Sequence, residues 1–208
     1  MVRWACLFFL CWGIVEGGSN KRPPLIILDA GHGGEERGTH GYGIDEKTLS
    51  LQTVLSVKRK LKAAGLRVLM TRASDRTLSL SMRASIANQT RGALFVSIHY
   101  NGHTHHTAHG VEVYFCAKGN QKQAKQSEKI AKSVLNGIIK RTGRTSRGVK
   151  SANFHVLRET KIPAILIEGG FLTNAEEAKW LQDKAHVEQI AEGIVAGILV
   201  HYSVKGER

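Results

Sequence analysis

The sequence predicts an α/β fold: a single domain in which a mostly parallel, twisted sheet of about six strands is flanked by helices. From Leu25 onward, short apolar runs alternate with longer amphipathic stretches, which is typical of strand–helix units in a parallel sheet. The chain length of 208 residues suits one hydrophobic core. Hydrophobic residues make up 42% and charged residues 23%, as in ordinary globular proteins, so a disordered chain is excluded.

Apolar runs predict the strands. The first, Leu25–Asp29, ends in a glycine-rich segment where a loop must begin. The run at 111–115 alternates apolar and polar residues and therefore predicts a half-exposed strand. The predicted strands cover residues 25–29, 66–71, 93–99, 111–115 and 164–168.

Amphipathic stretches predict the helices. Gly65 stands where a left-handed C-terminal cap would end the first helix, and Ser79 or Ser81 can cap the second. The last helix places Ile190, Ile194 and Ile198 against the sheet, and the charged tail at 205–208 is expected to fray. The predicted helices cover residues 46–64, 79 or 81–88, 123–140 and 187–200.

The amino terminus predicts export. Arg3 is followed by an apolar run from Trp4 to Val15 and then by small residues, which is typical of a secretory signal peptide at residues 1–19. The run is short for a permanent span, which needs about 20 apolar residues. We therefore expect a mature domain of residues 20–208 in the periplasm or cell envelope, without a stable membrane span. An uncleaved membrane tether is the alternative. After cleavage only Cys116 remains, so no internal disulfide is expected.

The chain is strongly basic. Lys and Arg total 30 against 17 Asp and Glu, a net charge of +13, which attracts polyanions such as nucleic acid, anionic lipid or an acidic wall polymer. The basic residues are scattered and lack the interleaved aromatic residues on which single-strand binders stack bases. We therefore expect no nucleic-acid partner.

Polar residues stand at the ends of three predicted strands: His32, His99 and Glu168. In open α/β sheets, ligands bind outside the carboxyl ends of strands. Zinc accepts imidazole nitrogen and carboxylate oxygen, and a catalytic zinc keeps three protein ligands. Glu46, which opens the first predicted helix, completes the set. The sequence thus predicts one zinc ion per chain, held by His32, Glu46 and His99.

Each candidate has a purely structural alternative. His32 could be a loop histidine satisfied by backbone hydrogen bonds. Glu168 follows four apolar residues, so it is either functional or buried in an ion pair with Arg72 or Arg83. A looser group of histidines could also chelate a metal, but its irregular spacing favours a solvated loop near the site; its members are His40, His103, His105, His106 and His109.

The motifs resemble a known family, the zinc-dependent N-acetylmuramoyl-L-alanine amidases of bacterial cell-wall turnover and division. The likeness runs from Leu25 to about Ile198 and rests on segments in a fixed order: LDAGHGG at 28–34, DEK at 45–47, SIHYN at 97–101, GVEVY at 110–114, RGVK at 147–150, VLRET at 156–160 and EGGFLTN at 168–174. It implies that His32, Glu46 and His99 are metal ligands and that Glu168 is the catalytic carboxylate. Tyr100 stands where the family usually has alanine, a departure that bears on substrate fit.

The resemblance implies zinc-dependent hydrolysis of the amide bond between N-acetylmuramic acid and L-alanine, in peptidoglycan or muropeptides, for wall remodelling or cell division. Members controlled by divisome activators carry a helical insertion over the zinc site. This chain has only a short segment between Phe115 and Gln123, so we expect no activator. Two alternatives stay open: a zinc peptidase or carboxypeptidase acting elsewhere on the stem peptide, and a non-catalytic wall-binding protein.

Overall fold

A computed structural model describes residues 22–202 of the chain, so the predicted signal peptide at 1–19 and the charged tail lie outside the described residues. The described chain contains a six-stranded sheet, a two-stranded hairpin and six helices. The strands are β1 Leu25–Ala30, β2 His40–Gly41, β3 Ile44–Asp45, β4 Arg67–Met70, β5 Leu94–Asn101, β6 Val111–Phe115, β7 Ser146–Ser151 and β8 Ala164–Phe171. The helices are α1 Glu46–Ala63, α2 Leu80–Gln89, α3 Gln121–Thr142, α4 His155–Arg158, α5 Ala175–Gln182 and α6 Lys184–Leu199.

The predicted α/β class is confirmed. The sheet order is β4-β1-β5-β8-β6-β7, and every neighbouring pair is parallel except β6 with β8. Strands β1, β5 and β8 therefore end at the same edge of the sheet. This edge is where polar groups that follow those strands can meet.

Helices cover both faces of the sheet. The larger apolar core lies under α1, α3 and α6, and a smaller one lies under α2 and α4. Two glycines of α6 allow it to contact α3 closely: an added Cβ would lie 2.4 Å from the Ile138 Cα at Gly193 and 2.4 Å from the Val134 Cα at Gly197. None of the helices within residues 22–202 is both long and apolar enough to cross a bilayer.

The helix boundaries follow the predicted caps. Helix α1 begins at Glu46, and Gly65 adopts the left-handed conformation with φ of 81°. The Ser79 hydroxyl accepts a hydrogen bond from the Met82 amide and so caps α2. Asn120 does the same for α3 through the Gln123 amide, which starts that helix slightly earlier than predicted.

The sequence patterns did not predict β7, the β2–β3 hairpin or the short helices α4 and α5. Strand β7 reads Ser-Arg-Gly-Val-Lys-Ser and lies at the edge of the sheet, so it needs no continuous apolar run. The prediction of a half-exposed β6 was wrong at Glu112, which is only 2% exposed. Its burial is tolerated because the carboxylate forms an ion pair with Arg147 and accepts a hydrogen bond from Asn101.

Candidate active site

His32 lies in the loop that leaves β1. Its backbone adopts the left-handed conformation with φ of 56°, which turns the chain away from the sheet. Just before it, the Gly31 amide donates to the Ile98 carbonyl at 3.0 Å. A Cβ on Gly31 would lie 2.3 to 2.6 Å from three atoms of the His99 imidazole. The absence of a side chain at Gly31 thus lets the rings of His32 and His99 approach to 5.0 Å between centroids.

Glu46 lies between the two histidines at the start of α1. Its Oε1 is 3.1 Å from His32 Nε2 and 2.7 Å from His99 Nδ1. Backbone amides fix the carboxylate, since Thr39 donates to Oε2 at 2.8 Å and Tyr100 to Oε1 at 3.2 Å. Burial alone would raise the pKa of Glu46, but hydrogen bonds from His32 and His99 outweigh it and hold the pKa well below its usual value.

The structure thus brings together three side chains that are far apart in the sequence. The potential ligand atoms of His32, Glu46 and His99 lie within 4.8 Å of one another, and this is the one such group of three within residues 22–202. Two imidazoles and one carboxylate match the ligand set of a catalytic zinc site. The arrangement argues against the reading of His32 as a loop histidine held only by its backbone.

The other histidines do not converge in this way. His103 and His105 stack with ring centroids 5.2 Å apart, and both are exposed. His40 lies 2.7 Å from an Asp45 carboxylate oxygen instead. This agrees with a solvated loop and not with a second chelating group among the described residues.

Glu168 lies beside the three candidate ligands. It is on β8 directly opposite His99 of β5 in the parallel register. Its Oε2 is buried and has no hydrogen-bond partner among the described residues. Burial, followed by the charges of Glu46 and Glu112, raises the pKa of Glu168 well above its usual value. The carboxyl group is therefore a strong proton acceptor when ionised.

The alternative in which Glu168 pairs with Arg72 or Arg83 is wrong. Arg83 donates from Nη1 to Asp29 at 2.8 Å and from Nη2 to the His32 carbonyl at 2.7 Å. Arg72 donates to the carbonyls of Ala30 at 2.9 Å and Gly31 at 2.8 Å. Both guanidinium groups hold the backbone of the loop that carries His32.

The site opens into a cavity of about 270 Å³. Its walls include His32, His99 and Glu168, and its rim carries two apolar side chains, Leu80 at 52% and Phe154 at 40% exposure. Tyr100 does not line the cavity. It is fully buried under α1, where its hydroxyl lies 2.6 Å from that of Thr53. Its departure from the family pattern therefore leaves the walls of the cavity unchanged.

The comparisons decide the family. A family model described as N-acetylmuramoyl-L-alanine amidase matches residues 26–200, most of the chain. The chain belongs to this family. Family membership agrees with the expected peptidoglycan substrate.

Individual relatives agree with this family assignment. The N-acetylmuramoyl-L-alanine amidase CwlM of Bacillus licheniformis is 37% identical over 83% of this chain and 66% of its own length. The N-acetylmuramoyl-L-alanine amidase LytC of Bacillus subtilis is 32% identical over 85% of this chain. The chain spans only 35% of the length of LytC. A crystal structure of an N-acetylmuramoyl-L-alanine amidase from Clostridium difficile 630 superposes with a TM-score of 0.83 at 35% identity, over 89% of this chain and 100% of that chain.

Asp29 supports the candidate site, but the sequence patterns did not single it out. Asp29 reads as the polar end of an apolar run, yet it is fully buried and accepts hydrogen bonds from Thr71 at 2.6 Å and Ser97 at 2.8 Å besides Arg83. The signal in the sequence was an acid at the end of an apolar run, three residues before a candidate ligand. The arginine that it binds could not be identified, because the pairing joins segments far apart in the chain.

The segment between β6 and α3, where an inhibitory helical insertion would lie, is short. Strand β6 ends at Phe115 and α3 begins at Gln121, which leaves residues 116–120 between them. This length agrees with the sequence-based expectation, while the independence from an activator stays a prediction.

Proposed function

We propose that this chain is a zinc-dependent N-acetylmuramoyl-L-alanine amidase that cuts the amide bond between N-acetylmuramic acid and L-alanine in bacterial peptidoglycan. One observation carries the proposal: two imidazoles and a carboxylate converge beside a buried carboxylate, Glu168, that has no partner among the described residues. Membership of the amidase family supports the choice of bond.

His32, Glu46 and His99 would hold the zinc ion. When bound, zinc supplies Lewis acidity, which polarises a carbonyl and lowers the pKa of a water molecule to about 7. Glu46 suits this role because amides of Thr39 and Tyr100 fix its carboxylate. The backbone of His32 is fixed by Arg83, so the imidazole is presented at low entropic cost.

Glu168 would move the proton. Hydrolysis of an amide needs a base that takes a proton from the attacking water and an acid that gives one to the departing amine. A carboxyl group with a raised pKa can do both in turn, because it keeps the proton between the two steps. The Oε2 atom has no hydrogen-bond partner among the described residues, and Glu168 lines the same cavity as His32 and His99.

Digestion of purified peptidoglycan tests the proposal. The protein is incubated with peptidoglycan alone, with a chelator, and with the chelator followed by excess zinc, and metal content is measured after dialysis. We expect peptides with a new L-alanine amino terminus, loss of activity with chelator, its return with zinc, and one zinc per chain. Release of terminal D-alanine would identify a carboxypeptidase instead, and binding to peptidoglycan without any cleavage would identify a wall-binding protein.

A matched pair of variants tests Glu168. Glu168→Gln preserves the shape of the side chain and removes the proton acceptor, so we expect activity to fall by about 10²–10⁴-fold with zinc still bound. Glu128→Gln is the control, because Glu128 lies on α3 in a surface ion pair with Lys132. Full activity in Glu168→Gln would exclude this residue from proton transfer.

We also propose that residues 1–19 are a cleaved signal peptide, that residues 20–208 form the mature amidase domain in the envelope or periplasm, and that wall remodelling or cell division uses its activity. The basic, apolar and small-residue order of the amino terminus supports export. Amino-terminal sequencing of protein recovered from the cell envelope tests cleavage. We expect the purified protein to act without a partner, and a marked stimulation by envelope extract would identify an activator.

A further inference from the structure

A second charged group consists of Glu112, Arg147 and Lys150. Its carboxylate lies on the same face of the sheet as Glu168, one strand nearer the edge strand β7. Glu112 of β6 is the cross-strand partner of Glu168 in the antiparallel pair. Its carboxylate lies 3.3 Å from the Arg147 Nε and also contacts the Lys150 Nζ. Its other oxygen accepts a hydrogen bond from the Asn101 side chain at 2.7 Å. Within residues 22–202, Glu112 is the one carboxylate that pairs with either cation, so the group keeps a net positive charge.

Both cations are held in place and remain accessible. The Arg147 guanidinium lies over the Phe171 ring at 4.9 Å, and its side chain is 34% exposed. The Lys150 side chain is 40% exposed. Both side chains start on β7, and their charged ends extend toward β6 because they pair with the buried Glu112 carboxylate. Side chains with fixed orientation and unused N–H donors are prepared to bind an anion.

This group adjoins the cavity of the candidate active site. Tyr114 follows Glu112 on the same face of β6, and its ring packs edge-on against Phe154 with centroids 5.1 Å apart. Phe154 lines the cavity together with Glu168. In contrast, the arginines closest to His32 are not available to a ligand, because Arg72 and Arg83 are 1% and 2% exposed and donate to the protein itself.

We infer that Arg147 and Lys150 form a subsite for a carboxylate of the stem peptide, which rests on the proposed amidase function. Neighbouring strands are roughly 4.8 Å apart, and an extended peptide advances roughly 3.3–3.6 Å per residue. The second residue beyond the cleaved amide therefore reaches the strand of Glu112. The muramic acid carboxyl is consumed in the amide, so a carboxylate can come only from the peptide side. The pair would direct the peptide toward β7 and favour a free α-carboxylate on that second residue.

Two matched substrates test this subsite. Both are disaccharide muropeptides, and they differ only in the second residue, which carries either a free α-carboxylate or its uncharged amide. For the wild-type chain, we expect kcat/KM to be about tenfold higher for the carboxylate form, as for a charge-assisted hydrogen bond. In Arg147→Gln and, separately, Lys150→Gln, that ratio should fall toward one, mainly through KM, and Arg147→Lys should restore part of it.

The control is Arg144→Gln. Arg144 is close in the sequence to Arg147, but its guanidinium lies over the Trp180 ring at 4.3 Å. We expect this variant to keep the wild-type ratio. A wild-type ratio near one, or an unchanged ratio in both Gln variants, would overturn the subsite while leaving the amidase proposal intact. Failure of the wild-type chain to release a free L-alanine amine from either substrate would instead refute the amidase function on which the subsite rests.

Discussion

Gly31→Ala separates metal binding from folding. Gly31 is not among the residues with positive φ, so its backbone conformation accepts alanine without strain. The obstacle is steric, because the new Cβ would lie 2.3 Å from Cε1, 2.5 Å from Nδ1 and 2.6 Å from Nε2 of His99. All three atoms belong to one imidazole, which can rotate away without moving the backbone.

The size of the displacement predicts the effect. An ordinary contact needs at least 3.4 Å, so the His99 ring must move by about 1 Å from its distance of 2.3 Å. Zinc–ligand distances tolerate only about 0.2 Å. We therefore expect zinc affinity to fall by about 100-fold or more, since even residues that merely support a ligand are worth about 10–100-fold. The metal-free protein should lose little stability, because alanine also reduces the entropy of the unfolded chain by about 0.4–1 kcal/mol.

Two measurements are needed on the same variant. Competition with a chromogenic chelator gives zinc affinity, and urea unfolding in the presence of a chelator gives the free energy of unfolding of the metal-free protein. Gly119→Ala is the control with the opposite pattern. Gly119 has φ of 87° and no heavy atom within 4 Å of an added Cβ. It should lose about 1 kcal/mol of stability through backbone strain and keep its zinc affinity. Wild-type zinc affinity in Gly31→Ala would refute the placement of His99 among the ligands.

Two further predictions concern buried polar groups near the site. The folded-state pKa of Glu168 is raised above its unfolded value, so its ionisation destabilises the metal-free protein as pH rises above the ordinary carboxyl range. Glu168→Gln should therefore be more stable than the wild type at pH 8. The difference between their free energies of unfolding should grow by at most about 1.4 kcal/mol per pH unit, as measured by urea unfolding at pH 5 and pH 8 with chelator. No such growth would mean that the carboxyl ionises freely. Tyr100→Phe should lose about 1 kcal/mol through its bond to Thr53 and keep kcat/KM, because Tyr100 is buried outside the cavity; a large rise in KM would contradict that placement.

The sequence predicted those parts of the fold that are coded locally. Apolar runs predicted five of the six strands of the main sheet, since buried parallel strands are apolar on both faces. It did not predict β7, whose residues Arg147, Gly148 and Lys150 give no apolar pattern. Nor did it predict that β6 runs antiparallel to β8, because side-chain periodicity carries no information on strand direction.

The candidate ligands were predictable for a different reason. His32 follows β1, and His99 and Glu168 lie in the carboxyl-terminal halves of β5 and β8, so the parallel topology alone brings them to one edge of the sheet. The supporting contacts were not predictable. The carbonyl of His32 meets Arg83, 51 residues away, and nothing in either segment encodes that contact. Motif resemblance could identify such a position without explaining what its side chain does.

The carboxylates at this site differ in how many hydrogen-bond and ion-pair partners they have, and the difference agrees with their proposed roles. Glu46 accepts hydrogen bonds from two amides as well as facing both imidazoles, which suits a group that must stay ionised and fixed. Glu112 is neutralised by Arg147 and Lys150. Glu168, the cross-strand partner of Glu112, has a buried oxygen that the described protein leaves without a partner. A partner for that oxygen would stabilise the fold, since a buried unsatisfied acceptor costs about 1–3 kcal/mol. A donated hydrogen bond would also lower the pKa of the carboxyl and make it a weaker proton acceptor. The missing contact therefore suits the proton transfer that we propose for Glu168, and folding alone does not explain it.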